Sequence, residues 1–379
     1  MSRGADGGRP VDSPYLTWAK GFAAAECNLA GSGVPRCAPS ELGPVDPDAP
    51  LTEPNDYGWG PLVAAIAARY DVDGSAVVVA AGASMANHLA MATVLSPGDH
   101  VVVEHPVYDP LALVPRLWGA TVSFVARRAE ERYRLDLDAI EARLTPTTRL
   151  IVLSNLHNPS GALARDADVV ALATLAARRG IYVLIDEVYR EWLHGIGSGD
   201  KSGDGSGDGV RAAATLSPWL ISTSSVTKTF GLGGLRIGWV LAEPGLAERM
   251  RRLMGLFDNI SAHPSERLAT RALERAATIL GPRRALVTAN RARLAAWVAA
   301  TPAARWVQPA GGTVGWVNLG IGDTNAFVER LARDHGTSIV PGRFFGATDH
   351  VRIALGVDAA TLERGLERLS DALRTPDRQ

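Results

Sequence analysis

LISTSSVTKTFGLGGLRIG occupies residues 220–238 and joins a short β-prone run, Leu220–Thr223, to a stretch rich in hydroxyls and glycine. One lysine, Lys228, and one arginine, Arg236, stand eight residues apart in it. A lysine set just after a buried strand, desolvated among neutral groups, has a lowered pKa and can form a Schiff base. Ser225 and Arg236 can hold a phosphate, the hydroxyl by a hydrogen bond and the guanidinium as a fork. The glycines let the backbone pass close to a bound group. Alone, the stretch also reads as an ordinary loop with a solvated lysine.

Three further stretches repeat the pattern of an apolar run ending in a polar turn. Ile181–Ile185 runs into Asp186, Glu187 and Tyr189, which puts Asp186 at a strand's carboxyl end, where α/β sheets place ligands. A carboxylate there can pair with a protonated ring nitrogen; a surface turn carrying the same residues is the plainer alternative. Leu150–Ser154 leads into His157-Asn158-Pro159-Ser160-Gly161, where Asn158 can donate to a ligand oxygen, although such a turn needs no ligand to form. Val77–Ala81 leads into Gly82-Ala83-Ser84-Met85, a small-residue turn opening a helix, whose free N–H groups and dipole favour an anion. The glycine spacing of a dinucleotide fingerprint and the lysine of a phosphate-binding loop are both missing.

Val101–Glu104, Val122–Val125, Leu220–Thr223 and Ile237–Leu241 complete a set of strand candidates, several continuously apolar, as in strands covered on both faces. A helix over Ser84–Leu95 and other helical stretches between them predict an α/β fold with a mainly parallel sheet. After about residue 243 helices dominate: Pro244–Phe257, Pro264–Leu280, Arg283–Thr301, Asn325–His335 and Ala359–Arg374, with strands at Thr313–Leu319 and Val351–Leu355. The expected division is a large domain over 46–262 and a smaller α+β domain of 1–45 plus 263–379, with a flexible Gly/Ser/Asp loop at 195–209. The 379 residues, 46% of them hydrophobic, suffice for such cores. A net charge of -1 gives no footprint for nucleic acid or an anionic membrane. No stretch nears the roughly 18 apolar residues of a membrane span, and no signal core follows the polar start. Two cysteines, Cys27 and Cys37, make no disulfide framework, which fits a cytoplasmic protein. No metal-ligand cluster is expected.

Taken together, in this order and near these separations, the four stretches resemble the class I/II aminotransferases, pyridoxal 5′-phosphate (PLP) enzymes of fold type I. The likeness covers roughly Tyr57 to Leu355. It implies that Lys228 carries the cofactor, that Asp186 partners its pyridine nitrogen, and that Asn158 and Tyr189 bond its phenolic oxygen. Tyr108, in Pro106-Val107-Tyr108, matches the aromatic stacked on the ring. Ala83, Ser84, Met85, Ser225 and Arg236 match the phosphate site. Arg352, after Pro341-Gly342-Arg343-Phe344-Phe345-Gly346, matches the arginine that grips the substrate α-carboxylate. The family's tyrosine that reaches the neighbouring subunit's phosphate corresponds to Tyr57, in a segment shorter than the family's. Thr227 stands where serine is common.

The resemblance implies transfer of an amino group from an L-amino acid to a 2-keto acid by a ping-pong mechanism, in a homodimer with shared active sites. Lyases and cyclases share the scaffold and part ways only after the first proton leaves Cα, so a PLP-dependent lyase or cyclase stays open as the alternative. The side-chain pocket falls on Asn28–Val34, Tyr57–Trp59 and Asp258–His263. Gly33 would let the substrate carboxylate approach the backbone, and Arg267 is one arginine able to read an acidic side chain.

Overall fold

The apolar runs become strands and the segments between them helices. The computed structural model describes residues 10, 12–21, 25–44, 46, 48–193, 211–309 and 311–374; the Gly/Ser/Asp loop at 195–209 lies outside them. The chain opens with α1 (Pro14–Gly21) and β1 (Cys27–Asn28), then α2 (Gly60–Tyr70), β2 (Val77–Ala80) and α3 (Gly82–Val94). It continues through β3 (His100–His105), α4 (Pro110–Leu117), β4 (Thr121–Ala126), α5 (Leu137–Glu141), β5 (Thr148–Ser154), α6 (Asp166–Arg179) and β6 (Tyr182–Asp186). Then come β7 (Leu220–Ser225), β8 (Gly238–Leu241), α7 (Pro244–Met254), α8 (His263–Glu274) and α9 (Ala276–Ala300). The last elements are β9 (Arg305–Trp306), β10 (Val314–Asn318), α10 (Asn325–His335), β11 (Thr337–Ser338), β12 (Val340–Pro341), β13 (His350–Ala354) and α11 (Ala359–Arg374).

Seven strands form one sheet in the order β2-β8-β7-β6-β5-β3-β4. Pairings from β4 across to β7 are all parallel, as the strand–helix alternation predicts. β8 runs antiparallel to both neighbours, because the short Val226–Ile237 connection turns the chain straight back without a crossover. Helices cover both faces. Val101, Val103, Val152, Leu184 and Ile221 pack with α3, α4 and α7, and Ile151, Leu153, Val183 and Ile185 pack with α6. In register, Ser154 lies opposite Asp186 and Asp186 opposite Thr223, so the carboxyl ends of β5, β6 and β7 form one edge. The candidate site residues Asn158, Asp186 and Lys228 follow or end these strands.

A second, antiparallel sheet, β12-β13-β10-β9, packs with α9, α10 and α11 around Leu294, Val317, Leu331, Ile353 and Leu366. The N-terminal segment joins it through β1, which pairs in parallel with β11. α8 and the first turns of α9 lie on the other side, where Ala269, Leu273 and Ile279 pack with Leu62, Ile66 and Trp239.

The helix break expected between Leu280 and Arg283 falls instead at Arg275, and α9 runs on through Pro282. Proline removes a helical N–H. One turn on, the Arg283 guanidinium donates to the Ile279 carbonyl at 2.8 Å and is itself clamped by Glu41 at 2.7 and 3.0 Å, which ties this part of the helix to the N-terminal segment.

Candidate active site

Asp186 ends β6 and is buried. Its Oδ2 accepts from the Asn87 amide at 2.7 Å and its Oδ1 from the Val188 N–H at 3.1 Å. Thr223 Oγ1 donates to Asn87 Oδ1 at 2.5 Å, which fixes the amide's orientation. Burial pushes the Asp186 carboxyl up; the Asn87 amide, the Val188 N–H and the charge of Lys228 oppose this. Two hydrogen bonds thus hold the carboxylate, which keeps lone pairs for a further, cationic donor.

Lys228 follows β7. Its Nζ donates to Ser32 Oγ at 2.9 Å. Burial and the nearby Arg352 push the ammonium down to about 8, with Asp186 pulling the other way. About a tenth of it is therefore neutral, nucleophilic amine at pH 7, far more than for an ordinary lysine. Gly33 lies against the same segment: a Cβ there would stand 3.6 Å from the Lys228 carbonyl oxygen.

Arg352, on β13, is 1% exposed, and among the described residues no carboxylate pairs with it. Its Nη2 donates to the Tyr15 hydroxyl at 2.5 Å and its Nη1 reaches Asn158 Oδ1 at 3.4 Å. The guanidinium lies over the rings of Tyr15 and Phe345, 5.2 and 4.9 Å from their centroids. A buried cation held by neutral groups is a ready site for a carboxylate.

Asn158 is oriented from beneath. Its N–H donates to Ser154 Oγ at 3.0 Å, and Ser154 donates to buried Glu104 at 2.6 Å, which also accepts from Arg127 at 2.8 Å. Buried His157 bridges Ser160 and the Pro106 carbonyl, just before Tyr108. The Tyr108 ring meets Tyr15 edge-on at 5.8 Å. The phenol of buried Tyr189 is raised to about 12 by burial, against Arg352 and Ser32, which lower it.

The helix N-terminus at α3 has the form expected of an anion cradle. Its first turn holds Gly82, Ala83, Ser84 and Met85, and no side chain caps it. Gly82 sits at φ +80°, and a Cβ on Gly238 would stand 2.7 Å from the Ala83 nitrogen, so both positions require glycine. Arg236 reaches over this turn, donating to the Ala81 carbonyl at 3.2 Å, while Ser225 is fully buried at the end of β7. Thr227 Oγ1, next to Lys228, is buried without a partner.

Tyr57 stands apart. It is exposed at φ 63°, and its neighbours Asn55 and Trp59 are tied to buried Glu266 at 2.7 and 3.2 Å. Trp59 meets His263 edge-on at 5.1 Å, and Arg267 lies over Trp59 and pairs with Glu53 at 3.6 Å. Tyr57–Trp59 and His263 thus form a second cluster, which no hydrogen bond joins to Lys228 or Arg352 among the described residues. Sequence reasoning passed over Tyr15, Ser32, Asn87 and Thr223. Asn87 had a legible signal: it lies four residues after Ala83, on the same helix face. Ser32 sits inside the flagged stretch Asn28–Val34. Tyr15 lies in an N-terminal segment with no periodicity to place it.

The family model for aminotransferase class I and II matches residues 61–369. The chain is 31% identical over 363 residues to a capreomycidine synthase of Streptomyces vinaceus, covering 93% of this chain and 90% of that protein. It is 31% identical over 305 residues to an arginine–pyruvate transaminase, AruH, of Pseudomonas aeruginosa, covering 79% and 75%. Among solved structures, the PLP-dependent cyclase OrfR superposes with a TM-score of 0.85 at 26% identity, covering 98% of this chain and 99% of that one.

Proposed function

The chain belongs to the class I and II aminotransferases, whose cofactor is pyridoxal 5′-phosphate, and on that premise we propose that it moves an amino group from an L-amino acid to a 2-keto acid. The observation that carries this reading is the convergence of a largely desolvated lysine amine, a buried carboxylate and a buried arginine that pairs with no carboxylate among the described residues: Lys228, Asp186 and Arg352. When bound, the cofactor supplies the electron sink that lets a bond at the substrate Cα break.

Lys228 would hold the cofactor, and its amine would carry the proton to and from the substrate Cα. Asp186 keeps the ring nitrogen protonated. Asn158 and Tyr189 would donate to the cofactor's phenolic oxygen, and Tyr108 would lie against its ring. The N–H groups of Ala83, Ser84 and Met85 hold the phosphate together with Ser225 and Arg236. Arg352 and Asn158 orient the substrate carboxylate, with Gly33 leaving room beside it, and so select which Cα bond lies in line for cleavage.

The reading includes a homodimer. Leu51, Tyr57, Leu256, Phe257 and Ile260 are large apolar residues left exposed, which supports a face covered by a second copy. It also includes a cytoplasmic setting, in keeping with the free thiols of Cys27 and Cys37. No helix among the described residues is long and apolar enough to cross a membrane.

One observation favours a second reading, a lyase or cyclase: the similarity to OrfR spans nearly the whole chain. The test is the absorbance of the PLP-loaded protein on adding single L-amino acids without any keto acid. Loss of the visible cofactor band, with one equivalent of keto acid formed, supports amino transfer and names the donor. A visible band that persists while ammonia or a cyclised product appears moves the assignment to the second reading.

A further inference from the structure

Within the flagged stretch Asn28–Val34 the sequence assigns Ser32 no role of its own, yet it makes the one hydrogen bond of the Lys228 amine among the described residues, at 2.9 Å. We propose that Ser32 is a positioning residue for Lys228, its hydroxyl holding the free amine aimed at the substrate Cα whenever that amine is not joined to the cofactor. The proposal rests on the assignment of Lys228 as the cofactor lysine.

The hydroxyl is well placed to act this way because its backbone is pinned. The Ser32 carbonyl accepts from Thr313 Oγ1 at 2.7 Å, and Thr313 is fully buried. The next residue, Gly33, packs so closely under Gly356 that a Cβ on Gly356 would overlap the Gly33 carbonyl. Two residues back, the Ala30 N–H is held by Asn28 Oδ1 at 3.0 Å, and the Leu29 carbonyl accepts from the Ala354 N–H at 2.8 Å. Ser32 is buried, so little water competes for its oxygen. The charged and titratable groups that act on Lys228 come from three other elements: Asp186 from β6, Arg352 from β13 and Arg236 from the turn before β8. Tyr189, on which Ser32 also acts, completes the surroundings. Both arginines favour the neutral amine and Asp186 the charged one; Ser32, as an acceptor, adds to the charged side and gives that charge a direction.

The proton balance is simple. As the substrate Cα–H bond breaks, its proton would join the lone pair of Lys228 Nζ, the cofactor supplying the sink for the electron pair left on carbon. The resulting ammonium has three N–H groups, and Ser32 Oγ takes one of them. A tetrahedral nitrogen with one N–H tied down points its lone pair, or its remaining protons, within a narrower cone. That is the geometric condition for efficient proton transfer.

The experiment uses the full-length chain with Ser32→Ala and Ser32→Thr. With the cofactor removed, the pH midpoint for acylation of Lys228 is read by mass spectrometry. Loss of an acceptor for the ammonium should lower that midpoint by about one unit in the alanine variant, and threonine should restore most of it. With the cofactor bound, alanine should reduce kcat by about tenfold and leave KM within about twofold. If Ser32→Ala does not fold, Ser32→Thr against Ser32→Val carries the same comparison. An unmoved midpoint with unmoved kcat would overturn the role of Ser32. Borohydride reduction of the wild-type holoenzyme separates this from failure of the premise: an adduct found anywhere but Lys228 removes the lysine assignment itself.

Discussion

The buried guanidinium of Arg352 donates to the hydroxyl of Tyr15 at 2.5 Å, so a residue of the first helix is tied to a strand of the second sheet directly across the candidate carboxylate site. Asp109 holds the other end of this link: its carboxylate accepts from Ser13 Oγ at 2.8 Å and from the Tyr15 N–H at 3.2 Å.

Substitution of either member should act on carboxylate binding. Arg352→Lys keeps a charge but loses the fork, and is expected to raise KM for α-amino acids by about 10- to 100-fold. Tyr15→Phe should cost a few-fold. An amine donor without a carboxylate should be nearly indifferent to both changes. Steady-state kinetics with a matched pair of donors check this, and equal losses for the two donors would refute the grip.

The Asn87–Asp186 bond predicts a pH-dependent cofactor affinity. The amide helps keep the Asp186 carboxyl ionised against burial. Asn87→Ala should therefore let the carboxyl protonate at higher pH and weaken cofactor binding by about tenfold, the more so as pH falls. Equilibrium dialysis at two pH values measures it. A uniform loss across pH would point to packing instead.

Lys228 is depressed to about 8. The neutral amine is the nucleophile, so capture of the cofactor by the cofactor-free protein should accelerate as pH rises through about 8, well below the ordinary lysine value. The linkage has a sign too. Between about 8 and the unfolded value of about 10.5 the unfolded chain binds the extra proton, so the cofactor-free protein gains stability from this group as pH rises through that window. Stopped-flow uptake against pH tests the first statement and denaturant midpoints the second.

Away from the chemistry, fully buried Glu191 accepts from Arg69 Nε at 2.8 Å and from the Tyr70 hydroxyl at 2.9 Å. Glu191→Ala strands the Arg69 charge in the interior and should cost about 3–5 kcal/mol. Glu191→Gln, which keeps an acceptor, should cost less. Urea unfolding at fixed cofactor concentration reads the difference.

Much of the fold was written locally. The continuous apolar runs at Leu150–Ser154, Ile181–Ile185 and Leu220–Thr223 specify strands covered on both faces, and each ends in a polar turn. Parallel pairing then brings those ends to one edge, so Asp186 and Lys228 were legible as neighbours before any coordinate was known. Arg352 was legible only through resemblance, because its strand belongs to the other sheet. The through-running helix at Pro282 was not legible, since the ion pair that anchors it there, Arg283 with Glu41, joins residues 242 positions apart.

Ser32, Tyr15 and Asn87 mark the boundary most clearly. The sequence by itself determined the strand order's raw material, the lysine, the carboxylate and the glycines that only a close backbone approach requires. Tertiary structure alone decided which hydroxyl meets the Lys228 amine, 196 residues away in the chain, and which phenol meets Arg352, 337 residues away. Propensity and periodicity act over a few residues. The bonds that orient these groups depend on how two sheets and an N-terminal segment pack, and that is set by burial summed over the whole chain.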